Sequence, residues 1–149
     1  NKTITGIEAG AGVVGAAEKA LTEYENLDGW ELTPSSSGAM VTALDQAIQN
    51  EEDIIVTGWS PHWKFATYDL KYLEDPKEVF GGAEEIKTMA RKGLKEDMPE
   101  VYTVLDNFNW SIEDMEAVML EISEGKDPAD AARDWVDANP DKVAEWTGK

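Results

Sequence analysis

The spacing of apolar residues changes character twice along the chain. Lys2 to Glu8 alternates, with Ile4 and Ile7 apolar and threonines between, and predicts a strand. The glycine-rich step Gly10-Ala11-Gly12-Val13-Val14-Gly15 follows. It runs into good helix formers up to Tyr24, with apolar positions at Val13, Ala17, Ala20 and Leu21. Asn26 to Gly29 closes that helix, and Trp30 to Thr33 is a second short strand. Pro34 to Gly38 is a loop with hydroxyls placed to cap a helix. The helix after it carries a stripe of Met40, Val41, Leu44, Ala47 and Ile48. Asn50 to Asp53 turns the chain into Ile54-Ile55-Val56, a third strand. The order βαβαβ predicts a parallel sheet with right-handed crossovers.

Beyond Trp63 the pattern is different. Lys64 to Asp69 predicts a turn of helix, Leu70 to Leu73 a short extended segment, and Asp75-Pro76 a break. Gly81-Gly82 is a flexible turn, and Glu85 to Arg91 predicts a strand with Ile86, Thr88 and Ala90 on one face. From Asp97 onward the pattern is helical. Ser111 to Asp114 resembles a capping box with Asp in place of Glu, ahead of a stripe of Ile112, Met115, Met119 and Ile122. Gly125 stands where a helix C-terminal cap belongs, and Asp127-Pro128 and Asn139-Pro140 each place a capping residue before a proline. Trp135, Val136, Val143 and Trp146 are the apolar positions of the last two helices. The expected organisation is an α/β ligand-binding lobe over 1–95 and a helical segment over 96–149. That segment packs on this lobe, on a missing second lobe or on another copy.

Composition narrows the function classes. The 149 residues suffice for one domain with a real core. A formal net charge of -18 excludes nucleic acid, whose phosphates need a basic face, and disfavours anionic lipid. It describes a self-repelling surface suited to high salt or an exposed compartment; a patch attracting a cationic ligand is the sharper alternative. There are no cysteines, so disulfides and thiolate chemistry are excluded. A single histidine, His62, removes any two-histidine metal site, and no metal or cofactor is expected. No apolar run approaches a membrane span. Asn1 is an improbable natural start, which reads as processing or trimming.

Two features carry chemistry. Gly10-x-Gly12-x-x-Gly15 follows a strand and opens a helix, where bare backbone N–H groups attract an anion. The spacing fits a dinucleotide fingerprint, a purely structural turn, or a carboxylate site held by Gly12 and Val13. The dinucleotide reading, a Rossmann-type enzyme, wants an acid at the end of the second strand, and Thr33 stands there while Glu31 lies inside it. The second feature is Gly58-Trp59, presented where an apolar strand stops, at the edge at which open α/β folds bind ligands. An indole face attracts quaternary ammonium groups. Gly10, Gly58, Ser37, His62 and Trp63 are secondary candidates. Ser35 to Ser37 reads first as helix capping, and His62 and Trp63 read mainly as structural supports. Trp110, Trp135, Met115 and Met119 read as helix packing. A ligand with a carboxylate at one end and a quaternary ammonium at the other satisfies both features. A domain with no small ligand remains a further alternative.

At these residues a family resemblance enters. Asn1 to Val13, Ser36 to Met40, Ile54 to Trp63, Leu70 to Pro76 and Ala144 to Thr147 resemble the glycine betaine-binding proteins of compatible-solute ABC importers, and Gly58-Trp59-Ser60-Pro61-His62-Trp63 is the specific block. The resemblance covers nearly the whole chain. It implies an α/β lobe of the periplasmic-binding-protein-like type II fold, one of two that close on the ligand. It implies Trp59 as one wall of a three-tryptophan cage, with the Gly12 and Val13 N–H groups on the carboxylate. It also implies ABC transporter membrane subunits as partners, an extracytoplasmic place at the cell surface or in the periplasm, tethered or fused to a transporter, and a role in osmoprotection. The segment that supplies the family's other two cage tryptophans and its carboxylate histidine has no counterpart here, and His62 does not match that histidine. The chain resembles half of a receptor, and members differ in which half comes first. Helices from Asp97 onward that pack on an absent lobe would expose apolar stripes, from which dimerisation or domain swapping is expected.

Overall fold

The computed structural model describes residues 2–148; Asn1, read above as a trimmed start, and Lys149 lie outside the described residues. The chain forms two units that interleave along the sequence. Residues up to Trp59 together with Lys71–Ala83 make the first, and Ser60–Leu70 together with the chain from Glu84 onward make the second.

The first unit is the α/β one. Its elements are β1 (Thr3–Thr5), α1 (Gly12–Glu23), β2 (Glu31–Thr33), α2 (Ser37–Gln49) and β3 (Ile55–Val56). The three strands are parallel in the order β2-β1-β3, with Ile4 opposite Leu32 on one side and Ile55 on the other. Both expected helices bury one stripe: Val14, Ala17 and Ala20 from α1, and Met40, Leu44 and Ala47 from α2. Ile7, Val14 and Met40 form the core cluster, flanked by Leu32, Val41 and Val56. Ile48, expected in the stripe, is 41% exposed, because the buried arc of α2 passes through Ala47.

The strap Lys71–Ala83 returns to this unit, and over Leu70–Leu73 the chain forms no strand of the sheet; Tyr72 and Leu73 are exposed there. It is clasped to the end of α1. The Tyr24 hydroxyl donates to Asp75 Oδ1 and accepts from Lys77 N at 2.9 Å, while Asp75 also accepts from Val79 N and Phe80 N. These donors hold the Asp75 carboxyl below the usual carboxylate range. The Lys77 ammonium lies 5.2 Å from the Tyr24 ring centre.

The second unit is helical: α3 (Lys64–Thr67), α4 (Leu94–Asp97), α5 (Pro99–Asn107), α6 (Ile112–Ser123), α7 (Pro128–Ala138) and α8 (Pro140–Thr147). Local signals set several ends. Ser111 and Asp114 form the expected capping box. Gly125, at φ 101°, lets Lys126 N reach Glu121 O and Gly125 N reach Ile122 O, a doubly bonded helix stop. Asp127 accepts from Ala129 N and Asp130 N at the start of α7. Asn139 departs from expectation: its amide donates to Trp135 O at 2.8 Å and closes α7 instead of capping α8.

Val118, Ala131, Trp135 and Trp146 make the core of this unit. Trp135 and Trp146 stack at 5.4 Å, and Trp110 meets Trp135 edge-on at 5.1 Å. Two expectations fail here. Ile112, expected in the α6 stripe, is 47% exposed, while Ile122 of that stripe packs on this core and α6 also buries Glu116 and Val118. Glu85 to Arg91 is irregular and exposed, with Ile86 at 77% and Met89 at 89%. A strand needs a partner for its backbone groups, and among the described residues no strand lies beside this segment.

Candidate functional site

All three strands of the first unit end at one edge, and their exits are stitched together by hydrogen bonds. Gly6 N donates to Thr33 O at 2.9 Å, which ties the end of β1 to β2. Ser35 N donates to Gly6 O and Ile7 O, and its hydroxyl donates to Gly6 O at 2.7 Å. A side chain at Gly6 would meet Leu32 Cδ1 at 3.3 Å and Pro34 Cα at 3.4 Å, so the close approach of these exits depends on that glycine. On the other side, Thr57 N donates to Thr5 O at 3.0 Å and the Ile7 N–H donates to the buried Thr57 hydroxyl at 3.2 Å. The Glu8 carboxylate accepts from Ser37 N at 2.9 Å and Ser37 Oγ at 3.0 Å. The Ser37 backbone amide, first among these donors, lowers the Glu8 carboxyl from its ordinary value.

The candidate residues sit along this seam. Gly10, with φ 91°, makes the turn that β1 must complete before α1 begins. α1 starts at Gly12 with Ala11 as its cap, and no side chain caps it. Gly12 and Val13 therefore occupy the first helical positions, whose N–H groups have no acceptor within the helix. α2 differs: Ser36 caps it by accepting from Ala39 N, and Glu8 places a negative charge on its first turn. Of the two helix starts at this edge, α1 is the one without a side-chain acceptor. From Thr57 the chain leaves the sheet through Gly58 to Trp59, whose side chain is 38% exposed. The structure thus brings Gly10, Gly12, Val13, Ser37, Gly58 and Trp59 into one unit.

Ser37 departs from the capping role expected of the serine run. Ser36 is the cap, while Ser35 and Ser37 bind the ends of β1.

His62 and Trp63 belong to the second unit. His62 is buried; its Nδ1 accepts from Lys64 N at 3.1 Å and its N–H donates to Glu116 Oε1 at 3.2 Å. Burial, then the Lys64 charge, lowers the imidazole from its ordinary value, against the opposing pull of Glu116. Burial likewise lowers the Lys64 ammonium. Trp63 starts α3 and its ring lies 5.4 Å from the imidazole. Sequence reasoning missed Thr57, Glu8 and Glu116. Each has a trace in the sequence: a hydroxyl ending an apolar strand, an acid just past a strand, and a carboxylate inside an apolar helix face.

The geometry also bears on the glycine spacing. A side chain on Gly12 or Gly15 would meet nothing within 4 Å. In the dinucleotide fingerprint the last glycine allows close packing of helix on strand; here that reason is absent. Among the described residues no group of His, Cys, Asp and Glu is placed to hold a metal ion.

Comparison with known proteins decides the family. Residues 1–138 match the family model described as the substrate binding domain of ABC-type glycine betaine transport system, OpuAC. The chain belongs to the OpuAC family. It is 54% identical over 148 residues to the glycine betaine/carnitine transport binding protein GbuC of Listeria monocytogenes serotype 1/2a (strain 10403S), covering 99% of this chain and 49% of that protein. It superposes on lactococcal OpuAC in its closed-liganded conformation with glycine betaine at a TM-score of 0.77 and 58% identity, covering 99% of this chain and 58% of the other. Against the glycine betaine, L-proline transporter binding protein ProX of Borrelia burgdorferi the TM-score is 0.70 at 36% identity, with 98% and 56% coverage. The fold is therefore the expected periplasmic-binding-protein-like α/β type. The OpuAC-family chain spans about half the length of the curated relative it matches.

Proposed function

We propose that this chain is one half of a receptor for glycine betaine or a related quaternary ammonium osmolyte, feeding an ABC importer. The observation that carries the reading is the seam at the sheet edge. It sets a helix start without a side-chain acceptor and a partly exposed indole on the ends of adjacent strands, β1 and β3. One suits a carboxylate and the other a quaternary ammonium. Family membership and the glycine betaine held by lactococcal OpuAC support the choice of ligand. In this reading Trp59 is a cage wall, the Gly12 and Val13 N–H groups hold the carboxylate, and His62 and Trp63 are supports within the helical unit and not ligand contacts. The chemistry is reversible binding, completed by closure of a second lobe that supplies the rest of the cage. The helical segment over 96–149 packs on that lobe, on this one or on a second copy. The partners are the second lobe and the membrane subunits of the importer, and the place of action is extracytoplasmic, tethered or fused to the transporter. Among the described residues no helix is long and apolar enough to cross a membrane.

A single indole face contributes about 0.5–2 kcal/mol to cation binding, so the isolated half binds weakly. The test is a glycine betaine titration followed by tryptophan fluorescence, with NADH as control. A weak saturable response to betaine and none to NADH is expected; the reverse pattern refutes the reading.

A further inference from the structure

We propose that Thr57 is a positioning residue that fixes Trp59 relative to the Gly12–Val13 helix start by holding the Ile7 N–H with its hydroxyl. The inference rests on the betaine reading of this edge. β1 and β3 pair in parallel, Ile4 with Ile55 and Thr5 with Val56. The next step of that ladder is Gly6 beside Thr57, and its first bond, Thr57 N to Thr5 O, is present at 3.0 Å. The second bond of such a step runs from Ile7 N to the main-chain carbonyl of residue 57. In this protein Ile7 N bonds to the Thr57 side-chain oxygen at 3.2 Å instead. The hydroxyl thus takes the acceptor position at the last rung, and β3 turns away at once into Gly58 and Trp59.

The position leaves little alternative. Thr57 is 4% exposed and Ile7 is 7% exposed, so an Ile7 N–H deprived of that oxygen has no ready access to water. Ile7 is also fixed from its other side, where its carbonyl accepts from Ser35 N at 3.0 Å. The glycine turn leading to α1 begins three residues later, and Trp59 stands two residues past Thr57. One side chain therefore sets the spacing between the two halves of the proposed zwitterion site. Preorganisation of this kind changes affinity without adding a ligand contact.

The test compares Thr57→Val, which keeps shape and loses the oxygen, with Thr57→Ser, which keeps the oxygen. Two readouts are taken on folded protein: glycine betaine affinity of the chain joined to a matching second half, and amide hydrogen exchange at Ile7 and Trp59. Thr57→Val is expected to weaken betaine binding at least about fivefold and to speed exchange at both amides, while Thr57→Ser stays within about twofold of wild type on both. Equal affinity and exchange in Thr57→Val and wild type overturns the proposal, as does equal loss in both variants. If wild type binds no betaine, the receptor reading fails by itself, and the exchange contrast alone then decides whether Thr57 holds Trp59.

Discussion

The exposed placement of Trp59 just past β3 was legible from sequence because its signal is local: an apolar β-branched run, a glycine, then a large aromatic. Replacement of Trp59 by alanine is expected to weaken betaine binding about two- to thirtyfold, the worth of one indole face, as measured by fluorescence titration. Trp63→Phe is expected to leave affinity within about twofold, since that ring packs beside His62. The roles of Thr57 and Glu116 were not legible beyond a faint trace, because their partners lie 50 and 54 residues away in sequence. His62 gives a pH test. Burial, then the Lys64 charge, holds the folded pKa below the ordinary 6.5 against the pull of Glu116, so the folded state favours the neutral ring. The unfolded chain then binds more protons between those two values, and stability falls as pH drops through that window. His62→Asn, whose Oδ1 can stand in for Nδ1, is expected to flatten the fall in stability below about pH 6.5 in urea denaturation. An equal slope in both proteins would show that His62 is not the group responsible.

Elements followed the sequence closely where their ends are set by neighbours along the chain. The Ser111–Asp114 box, the Gly125 stop and the Asp127-Pro128 start are all decided within a few residues. Ser111→Ala is expected to cost about 1 kcal/mol of stability by urea denaturation, with the loss felt in the helical unit. Asn139 shows the limit of such local reading: its amide had two possible uses, and closing α7 onto Trp135 O was taken over capping α8. The strand expected over Glu85 to Arg91 failed for a longer-range reason. Alternation alone does not make a strand; a ladder partner must satisfy its N–H and C=O groups. The stripe of α6 holds at Ile122, which packs on the core, but fails at Ile112, and apolar spacing did not anticipate a buried Glu116 that receives the His62 N–H.

For the whole molecule, the family was legible from blocks spread over nearly the entire chain, while the partition into interleaved units was not. That partition depends on where the chain recrosses at Trp59–Ser60, Leu70–Lys71 and Ala83–Glu84, which is decided by packing between segments far apart in sequence. Two forces act on association. The helical unit leaves Ile86, Met89 and Ile112 exposed, which favours covering by a second lobe or another copy. The net charge of -18 opposes self-association. Salt screens the second force within a Debye length of about 8 Å at physiological ionic strength and leaves the first intact. Light scattering after size exclusion is therefore expected to show a dimer fraction that grows with salt and concentration. A clean monomer throughout would count against self-association through those residues. The most direct measurement of the half-receptor reading is a glycine betaine titration of this chain alone and joined to a matching second half. The expected result is weak binding alone and binding tighter by orders of magnitude when joined. Sub-micromolar affinity of the chain alone, or no response in either form, would contradict it.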